Sequence, residues 1–164
     1  MTDAMAASDS PYLGNSRRLA DVLAAIQVMG AYSIASQESA QWAEKLGDPV
    51  SAPSWAVILG DHPEFFRVSG NWISLRWRHG YDRTYSREQS RDLSHDEIAR
   101  LAADQESNLT RKPLTSDQIE ALMKTAIELH SREIAHQQER RWLTPMLFGL
   151  LGIVLGAILQ AALK

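Results

Sequence analysis

The sequence contains no cysteine, so it offers neither a disulfide framework nor a thiolate that could serve as metal ligand or nucleophile. It also lacks an excess of basic charge, because 17 Lys and Arg residues stand against 20 Asp and Glu residues, a formal net charge of −3. This balance argues against nucleic acid as the partner. Residues 1–18 contain no apolar run of the kind that a secretory signal needs.

The motifs of common enzyme classes are also missing. The chain carries no P-loop, no GxGxxG and no GxSxG pattern, and its five histidines form no HExxH pair. His130 and His136 are too far out of register to share a helical face, and His130 with Glu133 is typical of a surface pair. We therefore predict no catalytic residue, no cofactor, no metal site and no enzymatic activity.

The longest apolar stretch covers residues 142–163, which read WLTPMLFGLLGIVLGAILQAAL without a charge. At about 1.5 Å per residue, a helix of this length reaches about 33 Å, enough for a hydrocarbon core of about 30 Å. Arg140 and Arg141 precede it, as the positive-inside rule favours on the cytoplasmic side. The pattern predicts a single C-terminal, tail-anchored transmembrane helix with the N-terminal domain in the cytoplasm; the alternative is a helix buried in an oligomer.

The predicted span contains candidate residues for anchoring and helix packing. Trp142 suits the headgroup interface, and Pro145 predicts a kink because it lacks a backbone N–H. Small residues let two helices approach closely, and a buried amide can bond across such an interface. These positions are Gly149, Gly152, Gly156 and Gln160. They predict a homo-oligomer, unless the glycines are simply tolerated in the span.

The preceding residues predict a mostly α-helical domain with one small β-hairpin. Residues 1–14 are small and polar and predict a disordered tail. Helical spacing of apolar residues predicts three short helices, which end near Gly30, Gly47 and Gly60. The period then changes from about 3.6 to about 2 and predicts strands at 65–68 and 72–78. In the second strand, the residues predicted to face a core of Leu23, Ile26 or Trp42 are Ile73, Leu75 and Trp77.

Three helices followed by a hairpin resemble a winged-helix domain over residues 15–79, with DHPEFFRV…NWISLRWR as the wing. The HPEFFRV…SLRWR segment is also similar to one in small bacterial proteins, some of which carry an amidohydrolase label. Such metallohydrolases need a His/Asp/Glu metal cage, which is not recognisable in this sequence. A winged helix implies DNA reading by its third helix, yet residues 48–64 contain no Lys or Arg.

The next segment, residues 80–114, predicts a polar connector with a short helix that begins at a Ser94–Glu97 capping box. Three arginines in it are spaced four apart, at 83, 87 and 91, and would line one face of a helix; the alternative is a solvated connecting segment. A second capping box at Thr115–Gln118 opens a long helix over residues 115–141. Its apolar stripe from Ile119 to Leu129 predicts packing either against the core or in an oligomer.

From these features we predict a membrane-anchored cytosolic protein-interaction module, of an adaptor or signalling kind, that tethers a partner complex at the membrane lipid. The candidate partner surface is formed by the wing arginines Arg67, Arg76 and Arg78. A membrane-bound DNA-binding regulator that uses the same wing is the alternative, and a small membrane-associated enzyme is a further one. The arginines could also contact anionic lipid or only solvent.

Overall fold

The computed structural model describes residues 10–138. The first half of this range contains three helices and a small sheet. The elements are α1 (Arg18–Ala31), β1 (Ser36–Glu38), α2 (Ser39–Leu46), α3 (Trp55–Asp61), β2 (Phe66–Ser69) and β3 (Trp72–Leu75). The three strands pair antiparallel in the order β1-β3-β2. The three predicted helices and the hairpin are confirmed, except that the second strand of the hairpin ends at Leu75 and not at residue 78. Strand β1 was missed because its sequence, Ser-Gln-Glu, has no strand propensity and depends on pairing with β3.

Glycines end α2 and turn the hairpin where sequence reasoning placed them. Gly47 follows α2 with φ of 75°, and Gly70 sits between β2 and β3 with φ of 60°. Both values lie in the region that residues with a side chain rarely adopt. Gly30 differs from the prediction, because α1 continues through it to Ala31 and its carbonyl accepts a hydrogen bond from the Leu114 amide.

The core lies between α1, α2, α3 and one face of the first sheet. Its most buried side chains include Ile26, Trp42, Ile73 and Leu75, all 2% exposed or less. The predicted inward direction of Ile73 and Leu75 is therefore confirmed. The prediction for Trp77 is wrong, since this side chain is 41% exposed. The alternation of strand β3 stops at Leu75, and the chain turns into a short helix that points Trp77 outward.

A second small sheet occupies the segment predicted as a connector. The elements are α4 (Arg76–His79), β4 (Tyr85–Ser86), β5 (Arg91–Asp92), α5 (His95–Ile98), α6 (Ala103–Glu106) and β6 (Leu109–Thr110). The strands pair antiparallel in the order β5-β4-β6. The helical face suggested for residues 83, 87 and 91 is wrong, because β4 lies between the first two positions. The capping box before α5 is confirmed, with the Ser94 hydroxyl accepting from the Glu97 amide.

The last described element is helix α7, residues 116–138. It begins after Thr115, whose hydroxyl accepts from the Gln118 amide as the second capping box predicted. Its apolar stripe packs against the core, where Ala126 is fully buried. A Cβ atom on Gly30 would lie 2.9 Å from Cγ1 of Ile119, so α1 and α7 touch at this glycine. The stripe from Ile119 to Leu129 thus belongs largely to the folded domain.

The predicted membrane helix requires a correction. Within residues 10–138, no helix combines the length and the apolar character needed to cross a bilayer. The stretch at 142–163, with its glycine row and Gln160, lies outside the described residues. The structure therefore does not support a fold class with a single C-terminal transmembrane helix. It does not support single-pass membrane localisation either. What the structure supports is an α-helical domain with two small antiparallel sheets.

The predicted N-terminal tail also needs correction at its described end. Tyr12 is 5% exposed and belongs to the hydrophobic core. Its hydroxyl donates a hydrogen bond of 2.6 Å to Oε1 of Glu64, and its ring centroid lies 4.5 Å from that of His62. These contacts of Tyr12 hold that part of the chain against the domain. Residues 1–9 lie outside the described residues.

Candidate functional site

The structure separates the three wing arginines that were predicted to form one partner surface. Arg67 and Arg76 are exposed, and Nε of Arg76 donates to the Pro63 carbonyl at 2.8 Å. Arg78 is 0% exposed and cannot contact a partner. Its position on the turn of α4, rather than on a continuing strand, sends its side chain into the domain. The candidate surface is therefore corrected to exclude Arg78.

Arg78 instead holds three backbone segments together. Its guanidinium donates only to main-chain carbonyl oxygens, with distances from 2.6 to 3.4 Å. The acceptors lie at the end of α1, in the loop after it and beyond β6: Met29, Tyr32, Ser33, Ile34, Arg111 and Lys112. Burial lowers the pKa of Arg78 to about 10, so the group still carries its charge at neutral pH. A cation at the carboxyl end of α1 also complements the helix dipole.

A cavity of about 370 Å³ lies between the two sheets, and three arginines line it. Arg83 and Arg87 flank β4, and Arg111 follows β6. The first sheet contributes Ser36 and Trp72 to the wall. We call this cavity the basic cleft. Two of the three arginines predicted on one helix face, Arg83 and Arg87, thus line the cleft, and the pairing of β4 with β6 brings Arg111 beside them.

Hydrogen bonds to neighbouring carbonyl and amide oxygens hold the cleft arginines in place. Nη2 of Arg83 donates to the Leu109 carbonyl at 2.9 Å. Nη2 of Arg87 lies 3.4 Å from Oδ1 of Asn108. Nε of Arg111 donates to the carbonyls of Tyr81 and His79, at 2.9 and 3.2 Å. These contacts fix the side chains but leave most of their guanidinium N–H groups without an acceptor among residues 10–138.

The charge of this region is not neutralised within the part of the chain that the structure describes. The ion pairs found there involve none of the arginines at 67, 76, 83, 87 and 111. Burial, together with the positive charges of Arg83 and Arg67, lowers the pKa of Arg111, and Asp82 only partly offsets this. Burial and the charges of Arg111, Arg67 and Arg76 lower the pKa of His79. The cationic groups therefore lie close enough to repel each other.

Arg67 extends the basic cleft onto the outer face of the first sheet. Arg67 is paired with Ser74, and Ser74 lies two residues from Trp72, so these side chains share the face opposite to buried Ile73 and Leu75. Trp72 is 52% exposed at the rim of the cleft. We use the name basic face for the outer face of the first sheet together with the basic cleft. It includes the exposed arginines Arg67 and Arg76. On this face the exposed ring of Trp72, paired with Glu38 in the sheet register, lies beside arginines that form no ion pair within residues 10–138.

Arg91 shows by contrast what a compensated arginine looks like in this fold. Its guanidinium contacts both carboxylate oxygens of Glu97, at 2.6 and 3.2 Å. The bond from Arg91, with further bonds from Ser94, lowers the pKa of Glu97 to about 2. Arg91, the third arginine of the series at 83, 87 and 91, thus already has a carboxylate partner within the domain. Sequence spacing alone could not separate it from the two arginines that line the cleft.

The histidine and carboxylate groups show no arrangement for metal chemistry in the described range. Residues 10–138 contain no group of three His, Cys, Asp or Glu residues placed to hold a metal ion. The arrangement most similar to such a group is a cluster of His62, Glu64 and Tyr12. In this cluster Nδ1 of His62 lies 3.0 Å from Oε1 of Glu64, and the ring of Tyr12 packs beside the histidine. Burial opposes ionisation of Glu64, but bonds from Tyr12, a backbone amide and His62 lower its pKa overall. His62 is fully buried, and its Nε2 has no hydrogen-bond partner within residues 10–138, so the ring lies inside the core and not at an open site.

The remaining predicted site residues, at 142, 145, 149, 152, 156 and 160, lie outside the described residues. The comparisons with known proteins give no additional assignment. No protein-family model, curated protein or solved structure matches this chain.

Proposed function

We propose that this domain is a protein-interaction module that binds an acidic segment of a partner protein on its basic face. The observation that carries the proposal is the group of exposed arginines without carboxylate partners in residues 10–138, beside the exposed ring of Trp72. Arginine and tryptophan are the residue types that contribute most to binding at protein interfaces. Positive charge left unpaired on the surface favours a partner of opposite charge.

The resemblance to a winged helix remains part of this proposal. The element order α1-β1-α2-α3-β2-β3, with strand order β1-β3-β2, agrees with a three-helix domain that ends in a wing. The basic face then lies on the outer face of the first sheet and on the second sheet, and only Arg76 approaches the third helix, through its bond to the Pro63 carbonyl just after α3. Partner binding would therefore use the wing side of the fold.

DNA binding through α3 has less support. Residues 48–64, which include α3, contain no Lys or Arg but contain Asp48, Asp61 and Glu64. Helix α3 also uses Trp55, Ile58 and Leu59 for the core. An acidic helix would repel phosphates, which supply most of the affinity in such complexes.

The proposal can be tested with the full chain and labelled polyanions. We expect a fluorescent oligoglutamate peptide to bind, measured by anisotropy, more tightly than duplex DNA of matched length at physiological salt. Arg67→Gln should weaken peptide binding by about 0.5–1 kcal/mol, a factor of about 2–5. Arg132→Gln is the matched control, because Arg132 is an exposed arginine on α7 that already pairs with Glu128.

Equal weakening in the two variants would show that only overall charge matters and would contradict a defined binding face. Tighter binding of the DNA, with sensitivity to Arg67→Gln, would favour the regulator alternative instead. Circular dichroism spectra of all variants should coincide with that of the unmodified chain, because both side chains are exposed.

A further inference from the structure

We propose that the basic cleft is the binding pocket for a phosphate monoester carried on a side chain of the acidic partner segment. This inference rests on the proposed function and specifies the group that the cleft recognises. The cleft differs from the rest of the basic face because its three arginines surround one cavity. Arg67 and Arg76, in contrast, lie on the open surface.

The arrangement of the donors favours a ligand with several anionic oxygens. Arg83, Arg87 and Arg111 reach the cavity from three separate points of the chain, on both sides of β4 and after β6. Each is held by bonds that leave other guanidinium N–H groups available within the described part of the chain. A carboxylate offers two oxygens, and a single guanidinium fork already engages both of them. The three oxygens of a phosphate monoester allow a separate charged donor to bind each one.

The charge of the cavity also matches a phosphate better than a carboxylate. A phosphorylated side chain carries about −1.5 to −2 charges near neutral pH and presents three acceptor oxygens. The residues that line the cleft include no Asp or Glu within residues 10–138. Near the wall, the Asn108 side-chain amide donates to Oε1 of Glu88 at 3.2 Å, and Asp82 partly offsets the charge around Arg111. A dianion would therefore relieve the repulsion among the arginines.

The shape of the cleft explains why the phosphate would be attached to a larger group. About 370 Å³ is more space than a free phosphate ion fills, and Trp72 and Leu109 provide apolar wall. Trp72 lies at the junction of the cleft with the outer face of the first sheet, where the peptide would continue. The ring could cover the carbon chain of the phosphorylated residue while the arginines hold its head. Apolar walls with a few convergent charged groups are typical of specific binding pockets.

The test compares three short labelled peptides with identical glutamate flanks and a central phosphoserine, glutamate or serine. Each is titrated into the full chain, and inorganic phosphate serves as competitor. We expect the phosphoserine peptide to bind at least about tenfold more tightly than the glutamate peptide. Arg87→Gln should abolish this preference, because Arg87 is exposed and its only described contact is with Asn108. Arg132→Gln should retain it.

Each outcome separates the two proposals. Equal binding of the phosphoserine and glutamate peptides would overturn the phosphate pocket, whereas the proposed interaction with acidic segments would stand. Failure of all three peptides to bind would overturn both proposals. A preference for phosphoserine that survives Arg87→Gln and Arg83→Gln would place the phosphate outside the cleft and would overturn the assignment.

Discussion

Replacement of Arg78 by methionine should be among the most damaging single changes in the described domain. Methionine approximates the length of the arginine stem but cannot donate hydrogen bonds. Four of the carbonyl acceptors lie within 3.0 Å of the guanidinium, on Met29, Tyr32, Arg111 and Lys112. The loss of these hydrogen bonds would weaken the connection between the end of α1 and the segment that leads into α7, where the bond from the Leu114 amide to the Gly30 carbonyl would remain.

The expected magnitude follows from two opposing effects. Each hydrogen bond from a charged donor contributes about 1.5–3 kcal/mol, and buried carbonyls without a donor are costly. Removal of the guanidinium also removes its own desolvation cost, and some carbonyls can find water after local relaxation. We therefore expect Arg78→Met to lower the free energy of unfolding by about 3–5 kcal/mol. This is a large share of a typical total of about 5–15 kcal/mol.

Urea unfolding, followed by tryptophan fluorescence and far-UV circular dichroism, measures this loss. Arg67→Met is the matched control, because Arg67 is an exposed arginine on β2, and it should change stability by no more than about 0.5 kcal/mol. Arg78→Lys should recover only part of the loss, since an ammonium cannot reproduce the planar fork of donors. A loss below about 1 kcal/mol for Arg78→Met would refute the role of this side chain in joining the segments.

Two further predictions concern local packing and pH. Gly30→Ala should destabilise the domain by about 1 kcal/mol, because the clash of the new methyl with Ile119 outweighs the gain in helix propensity. Gly60→Ala is the control and should be neutral or stabilising in thermal melts, because the space around Gly60 is open. The low pKa of Glu97 means that its ionised form stabilises the fold above about pH 4.5, and that this contribution disappears as pH falls toward about 2. Arg91→Gln should raise the pKa of Glu97 in an NMR titration; an unchanged value would show that the ion pair is not formed in solution.

Local patterns in the sequence determined most of the helices and the hairpin. Capping boxes at Ser94 and Thr115 placed two helix starts correctly, because side chain and backbone within one turn satisfy each other. Gly47 was placed correctly as the residue after α2, because its positive φ favours glycine. Alternation fixed the direction of Ile73 and Leu75. These features depend on neighbours in the chain, so sequence reasoning could reach them.

Tertiary structure alone decided the candidate site. Arg76 and Arg78 looked equivalent in the sequence, yet one is exposed and the other is buried among carbonyls, because β3 ends at Leu75 and α4 begins. The basic cleft depends on β4 pairing with β6, a contact between residues more than twenty positions apart. Two-residue strands carry too little pattern to be recognised. An arginine has a carboxylate partner only if the two groups lie close together in the folded chain. Spacing along the sequence does not contain this distance.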